Sequence, residues 1–341
     1  MGELPFSIEL IRFLADIRVE FLARLFQFFT FLGDIEGYVL LVTLVYVSYD
    51  KKLAYRLSVL TLVTMSLNHL LKMIIMNPRP FVAEGTYAER WAVSPDKAAE
   101  LATEYSTPSG HAMAGSAFYS YVFASVKNRQ ARTACVLLVL LIGFSRPYLG
   151  VHYLEDVLIG WVLGVSIALV SIRYAAKISH LWSRLSHPQQ IAIVAASSLI
   201  LWITTRVLSD PDVGDQPLAF VGYTGFLMGV VVAFPLEAKM TAFNPRSSAV
   251  WKRMLRCVLC VGLVLITLML LDVVFEAMSS DYSALGYLLR YIRYALAGIA
   301  GILLGPILFL RLGLAERLPL DPEARHPAVR QHRSNRDRRL T

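Results

Sequence analysis

The sequence predicts an all-α protein, a polytopic membrane helical bundle with about nine transmembrane helices and an N-terminal interfacial helix. Three observations carry this reading. Of the 341 residues, 56% are hydrophobic and 17% charged, against about 45–50% and about 25% in soluble chains, and the mean hydropathy is +0.54. The apolar residues gather into runs close to the ~17–25 residues that a span needs. The basic residues recur in alternate connecting segments. This composition excludes an intrinsically disordered chain, a collagen-like chain and a disulfide-stapled secreted domain.

The first thirty residues differ from the rest. Glu9, Arg12, Asp16, Glu20 and Arg24 recur at spacings of three and four, and Phe13, Leu14, Ile17, Phe21, Leu22 and Leu25 fill the other side. That pattern is an amphipathic helix too charged to span. It lies in the membrane interface or packs against the bundle. No basic leader segment or small-residue cleavage site opens the chain, so no signal peptide is expected. Nine apolar runs follow, at 35–49, 55–76, 111–126, 133–151, 153–175, 190–207, 217–236, 255–277 and 286–312, of which the first and third are short. The stretch after about Pro319 is rich in Arg, Pro and polar residues and is expected to be disordered.

The net charge of +8 is a topology signal and not a nucleic-acid signal. Lys51, Lys52 and Arg56 lie in one loop, Lys127, Arg129 and Arg132 in another, and Arg173, Lys177 and Arg184 in a third. Lys239, Arg246, Lys252 and Arg253 lie in a fourth, and eight arginines follow Leu310. The intervening segments are acidic or neutral, with Asp210, Asp212 and Asp215 in 208–216 and Asp281 in 278–285. The positive-inside rule makes the basic loops cytoplasmic, so the long segment 77–110 faces outward. Cys135, Cys257 and Cys260 all sit in apolar runs and read as small apolar helix residues, the C-x-x-C included. Asp272 and Glu276, one turn apart in a late span, are expected to pair with Arg290 or Arg293.

Three clusters at span ends on the outward side carry chemistry: Lys72 to Pro80, then Pro108-Ser109-Gly110-His111, then Ser145 to Asp156. Lys72, Arg79 and Arg146 are three fixed cations, and guanidinium forks match phosphate oxygens two at a time. Gly110 opens an apolar helix, where unpaired N–H groups and the dipole favour an anion. His152 and Asp156 are four apart and share a helical face; a carboxylate beside an imidazole fixes its tautomer, as in a nucleophile and its orienting partner. His111 is a second imidazole, able to give a proton to a leaving oxygen. Singly, each has a plainer role: a snorkelling Lys72, a solvated Arg79, satisfied interfacial histidines. Their joint occurrence at one membrane face favours function, because ionisable groups near the bilayer are costly.

The pattern K-x6-R-P, P-S-G-H and S-R-x5-H-x3-D resembles the tripartite signature of the type 2 phosphatidic acid phosphatase superfamily, complete and in order from Lys72 to Asp156. Beyond about residue 175 the likeness rests on hydropathy. Phe31-Leu32-Gly33-Asp34 and Glu104-Tyr105-Ser106-Thr107-Pro108 resemble the nine-span sphingosine-phosphate phosphatase branch, which often has Thr at the position of Gly110; nine spans also resemble glucose-6-phosphatase. The resemblance divides the chain into an interfacial helix (1–30), a phosphatase core (31–176), additional transmembrane helices (177–313) and a basic cytoplasmic tail (314–341). It implies an integral-membrane, metal-independent phosphatase acting on lipid monoesters or diphosphates such as phosphatidate, a sphingoid-base phosphate or a prenyl diphosphate. His152 would attack phosphorus and become a phosphohistidine, Asp156 would orient it, and His111 would protonate the leaving oxygen and then activate water. Lys72, Arg79, Ser109, Gly110 and Arg146 would bind the phosphoryl oxygens. No metal or other cofactor is expected, and the partners are the bilayer and a phosphorylated lipid. A bacterial inner membrane with a periplasmic site is the expected setting, or an ER membrane with a lumenal site in a eukaryote. The alternatives are a sugar-phosphate phosphatase and a lipid transporter or non-catalytic lipid-binding relative. Intact His111, His152 and Asp156 argue against the last, and spans argue against the soluble haloperoxidases that share this anion pocket.

Overall fold

The computed structural model describes residues 4–84, 93–208, 218–280 and 283–318. Two short helices open it, α1 (Glu9–Asp16) and α2 (Glu20–Phe31), followed by α3 (Ile35–Ser48) and α4 (Lys51–Ile75). The small helices α5 (Pro80–Glu84) and α6 (Pro95–Ala102) lead to α7 (Gly110–Ser125), α8 (Arg129–Tyr148) and α9 (Leu154–Arg173). Then come α10 (Ala175–Arg184), α11 (His187–Leu208), α12 (Leu218–Met240), α13 (Val250–Glu276) and α14 (Ala284–Ile299). A π-helical turn at Ala300–Leu304 joins α14 to α15 (Gly305–Arg311). The protein is an all-α polytopic bundle, as its composition predicts.

Side chains cap several helices where the chain turns. The Asp50 carboxylate accepts from Leu53 N at 2.8 Å at the start of α4, and Asn128 Oδ1 from Ala131 N at 3.1 Å at the start of α8. Ser283 Oγ accepts from Gly286 N at 2.9 Å to open α14. Each cap satisfies one of the backbone donors that a helix N-terminus leaves unpaired.

The predicted runs all become helices, but not all become full spans. Among the described residues seven helices are long and apolar enough to cross a bilayer, or eight if α2 and α3, bent by 56° at their junction, count as one. The two runs that looked short are α3, with 14 residues, and α7, with 16. At 1.5 Å per residue α7 is about 24 Å long, less than the ~30 Å of hydrocarbon. Length and composition alone thus qualify seven or eight helices where about nine spans were expected, with α3 and α7 short of the required length. Burial explains α7: nine of its residues, from Ala112 to Tyr121, are enclosed by neighbouring helices, so protein and not lipid surrounds it.

The N-terminal amphipathic segment is two helices and not one, broken at 17–19. Ile11 and Leu14 of α1 are buried, and Leu14 packs with Tyr148, Leu149 and Val151 at the end of α8. Phe13, Phe21, Leu25 and Phe28 remain exposed, an apolar surface suited to lipid. The packing reading holds for the face that carries Ile11 and Leu14.

The bundle has two lobes that share α4. In the first, α7 packs against α4, α8 and α9. Its contact with α9 is close: a Cβ at Gly164 would lie 2.1 Å from Met113 O, so only glycine fits. In the second lobe α12 packs against α4, α11 and α14. There a Cβ at Gly229 would meet Ala295 O at 2.2 Å, the small-residue contact that membrane helices use. Residues 314–318, at the start of the segment expected as a tail, fold back on the α12–α13 loop, with Leu318 N donating to Ala242 O at 2.8 Å and Asn244 N to Glu316 O at 2.7 Å. The rest of the tail, the acidic segment around Asp210, Asp212 and Asp215, and Asp281 lie outside the described residues.

Candidate active site

The three sequence clusters converge at one end of the bundle, where α4 ends and α7 and α9 begin. Met76 ends α4 in the left-handed region with φ 54°, and the chain then turns so that Arg79 enters the protein. Its guanidinium is 1% exposed. Arg79 Nη1 donates to Val151 O at 3.0 Å and stands 3.1 Å from His152 Nε2. Arg79 Nη2 and Lys72 Nζ both reach Glu104 Oε2, each at 3.0 Å.

The third cluster is shaped by the end of α8. Gly150 turns the chain at φ 77°, a conformation other residues rarely adopt. His152 then lies between α8 and α9, 1% exposed. Its Nδ1 is 3.2 Å from Asp156 Oδ2 and 3.2 Å from Ser106 Oγ. Asp156, fully buried, accepts from Tyr153 N at 2.9 Å and from the hydroxyls of Ser106 and Thr107. Three donors fix that carboxyl group in place. An Nδ1–H pointed at Asp156 leaves the Nε2 lone pair facing Arg79 and the cavity. Burial, followed by the charges of Arg79, Arg146 and Lys72, holds His152 well below the ordinary histidine pKa, so the imidazole is neutral at pH 7.

Gly110 begins α7, with Ser109 at its N-cap. Asn68 fixes this turn by donating to Pro108 O at 3.0 Å. His111 Nε2 lies 2.9 Å from Asp34 Oδ1. Arg146 Nη1 donates to Thr30 Oγ1 at 3.3 Å, and its buried Nε has no partner among the described residues.

These groups surround a cavity of about 530 Å³. Of the residues singled out in the sequence, Lys72, Arg79, Gly110, His111, Arg146 and His152 line it. Asp156 stands behind His152. Ser109 is fully buried, and its hydroxyl has no hydrogen-bond partner among the described residues; it is not among the residues that line the cavity.

Sequence reasoning gave no site role to several residues that the fold adds. Glu104 bridges two of the cations, and although burial alone would raise its carboxyl, Lys72 and then Arg79 hold it well below the usual carboxylate range. Asn77 Nδ2 donates to Thr107 Oγ1 at 3.0 Å and so supports the hydroxyl that holds Asp156. Position next to the second motif was the available signal for Glu104, Ser106 and Thr107. Tyr223 from α12 and Arg290 and Tyr294 from α14 also line the cavity, and no local signal marked them.

A buried neutral histidine with a carboxylate behind it thus shares one cavity with three cations. The chain belongs to the PAP2 superfamily: that family matches residues 53–179, and the PAP2 superfamily phosphatase transmembrane extension matches residues 221–317. It is thus an integral-membrane phosphatase, a phosphoric monoester hydrolase, and the likeness that in sequence stopped near residue 175 reaches through the late helices. Among solved structures it is similar to Aquifex aeolicus LpxE, with 24% identity and a TM-score of 0.41, covering 51% of this chain and 100% of that one. No curated protein matches it.

Proposed function

We propose that this phosphatase hydrolyses phosphorylated lipids, without a metal, through a phosphohistidine on His152. The observation that carries the reading is the setting of His152, whose Nδ1 is 3.2 Å from buried Asp156 while Nε2 faces the cavity beside Arg79. A phosphoryl group entering the cavity displaces the Glu104 carboxylate from Lys72 and Arg79. Those two cations, Arg146 and the Gly110 N–H then neutralise its oxygens, the charge stabilisation that preorganised donors supply best. His152 Nε2 attacks phosphorus, and His111 protonates the departing oxygen. His111 next takes a proton from water, which releases phosphate. Asp34 beside His111 keeps that ring oriented for both steps.

The lipid reading rests on position. The cavity opens at helix ends, where a headgroup reaches it while the tail stays among lipids. The basic loops lie at the opposite end of the bundle, so the positive-inside rule turns the site outward, to the periplasm in a bacterium. The test is to trap the intermediate. Purified protein with chelator, given radiolabelled lipid phosphate and quenched in base, should carry acid-labile label on His152. His111→Ala should slow turnover by about 10²–10⁴-fold and raise the trapped fraction. Activity that chelator abolishes, or label absent from His152, sinks the mechanism; hydrolysis of glucose 6-phosphate in preference to every lipid phosphate replaces the substrate class.

A further inference from the structure

The cavity is larger than one phosphoryl group needs. Its volume of about 530 Å³ lies in the range that holds a whole small ligand, about 300–1,000 Å³. One wall carries the core cations and histidines. Another comes from the transmembrane extension, with Tyr223 on α12 and Arg290 and Tyr294 on α14. Arg290 and Tyr294 are four apart and share a helical face, and the guanidinium lies 5.5 Å from the ring centroid. The ring itself is seated on Gly222, where a Cβ would approach it to 3.2 Å.

Arg290 sits within an apolar span, where a charged side chain is expensive and marks a ligand route. Its neighbour Arg293 is differently placed: it is buried and pairs with Asp272 on α13. Arg293 ties two helices together, and Arg290 lines the cavity. Three core cations already match the oxygens of one phosphoryl group. A fourth, on a separate wall and flanked by two tyrosines, suits a second anion attached to the first.

We propose that the extension supplies a second anion subsite, in which Arg290, with Tyr223 and Tyr294, binds the inner phosphate of a lipid diphosphate. The inference rests on the phosphohistidine reading above and names its substrate class. His152 Nε2 forms a bond to the terminal phosphorus as the bond from that phosphorus to the bridging oxygen breaks. The bridging oxygen keeps the electron pair, and lipid monophosphate leaves against Arg290. Water then adds to the phosphohistidine phosphorus as the bond from that phosphorus to His152 Nε2 breaks and Nε2 keeps the pair; the water proton passes to His111, and inorganic phosphate is released.

Farnesyl diphosphate and farnesyl monophosphate share a tail and differ only in the second phosphate. Phosphate release from both, and from p-nitrophenyl phosphate, is measured with the full chain in detergent. The wild type should favour the diphosphate. Arg290→Gln should raise KM for the diphosphate at least tenfold and leave monophosphate turnover within about twofold, and Arg290→Lys should recover part of the loss. Equal loss on both lipids, no loss on either, or a wild type that prefers the monophosphate overturns the subsite while leaving the catalytic reading intact. A wild type inactive on all three substrates overturns both.

Discussion

Two clusters of buried charge sit at opposite ends of α4, and they behave differently. At one end Glu237, fully buried, accepts from Lys51 Nζ at 3.0 Å on each oxygen, from Thr241 Oγ1 at 2.7 Å and from Phe243 N at 3.2 Å. The Lys51 ammonium also stands 4.7 Å from the Phe243 ring centroid. At the other end, about 32 Å away along the helix, Lys72 and Arg79 share Glu104 and Arg146 keeps an Nε without a partner among the described residues. The first cluster is answered by the protein on every side and locks the α3–α4 turn to α12. The second is incompletely answered and faces a cavity. Burial of charge alone does not mark a site; burial together with unanswered charge and open volume does.

The contrast breaks most sharply through His152→Ala. Loss of the nucleophile should lower kcat by at least about 10³-fold with thermal unfolding in detergent unchanged; full turnover would end the assignment. Glu237→Ala should do the reverse. Leaving Lys51 buried without its partner should cost about 3–5 kcal/mol of stability, read from unfolding, with kcat per folded molecule unchanged. If Glu237→Ala instead lowers kcat in a fully stable protein, the two ends are coupled and the distinction fails.

Smaller effects sharpen the same picture. Glu104→Gln removes the carboxylate that competes with phosphate for Lys72 and Arg79, so inhibition by inorganic phosphate should tighten several-fold; weakened inhibition would make Glu104 a support for the cations and not their placeholder. The pH profile gives the subtlest sign. Because the folded protein holds His152 below the ordinary value of about 6.5, the imidazole stays neutral and nucleophilic below that pH. The acid limb of kcat/KM, corrected for ionisation of the substrate, should therefore lie below pH 6.5, and a limb above it would contradict the burial argument.

Much of this was legible in the chain. Hydropathy placed each of the long helices, since apolar runs must leave water wherever they fold. The motifs named the cavity residues Lys72, Arg79, Gly110, His111, Arg146 and His152, because their spacing is local and each cluster sits at one helix end. The number of spans was less legible: α3 and α7 are short, and only their neighbours show that α7 is enclosed by protein. Asp272 was expected to meet Arg290 or Arg293, and side-chain direction on α14 decided for Arg293. Composition and spacing by themselves determined a membrane-embedded chain with a histidine, its carboxylate and three cations at span ends, and the resemblance of those motifs implied a phosphatase. Tertiary structure alone decided that Glu104 occupies those cations, that Ser109 is not among the cavity-lining residues, and that α12 and α14 bring Tyr223, Arg290 and Tyr294 to the same cavity. These are contacts between residues from 25 to more than 200 positions apart, and no local pattern encodes a pairing that only packing between distant helices creates.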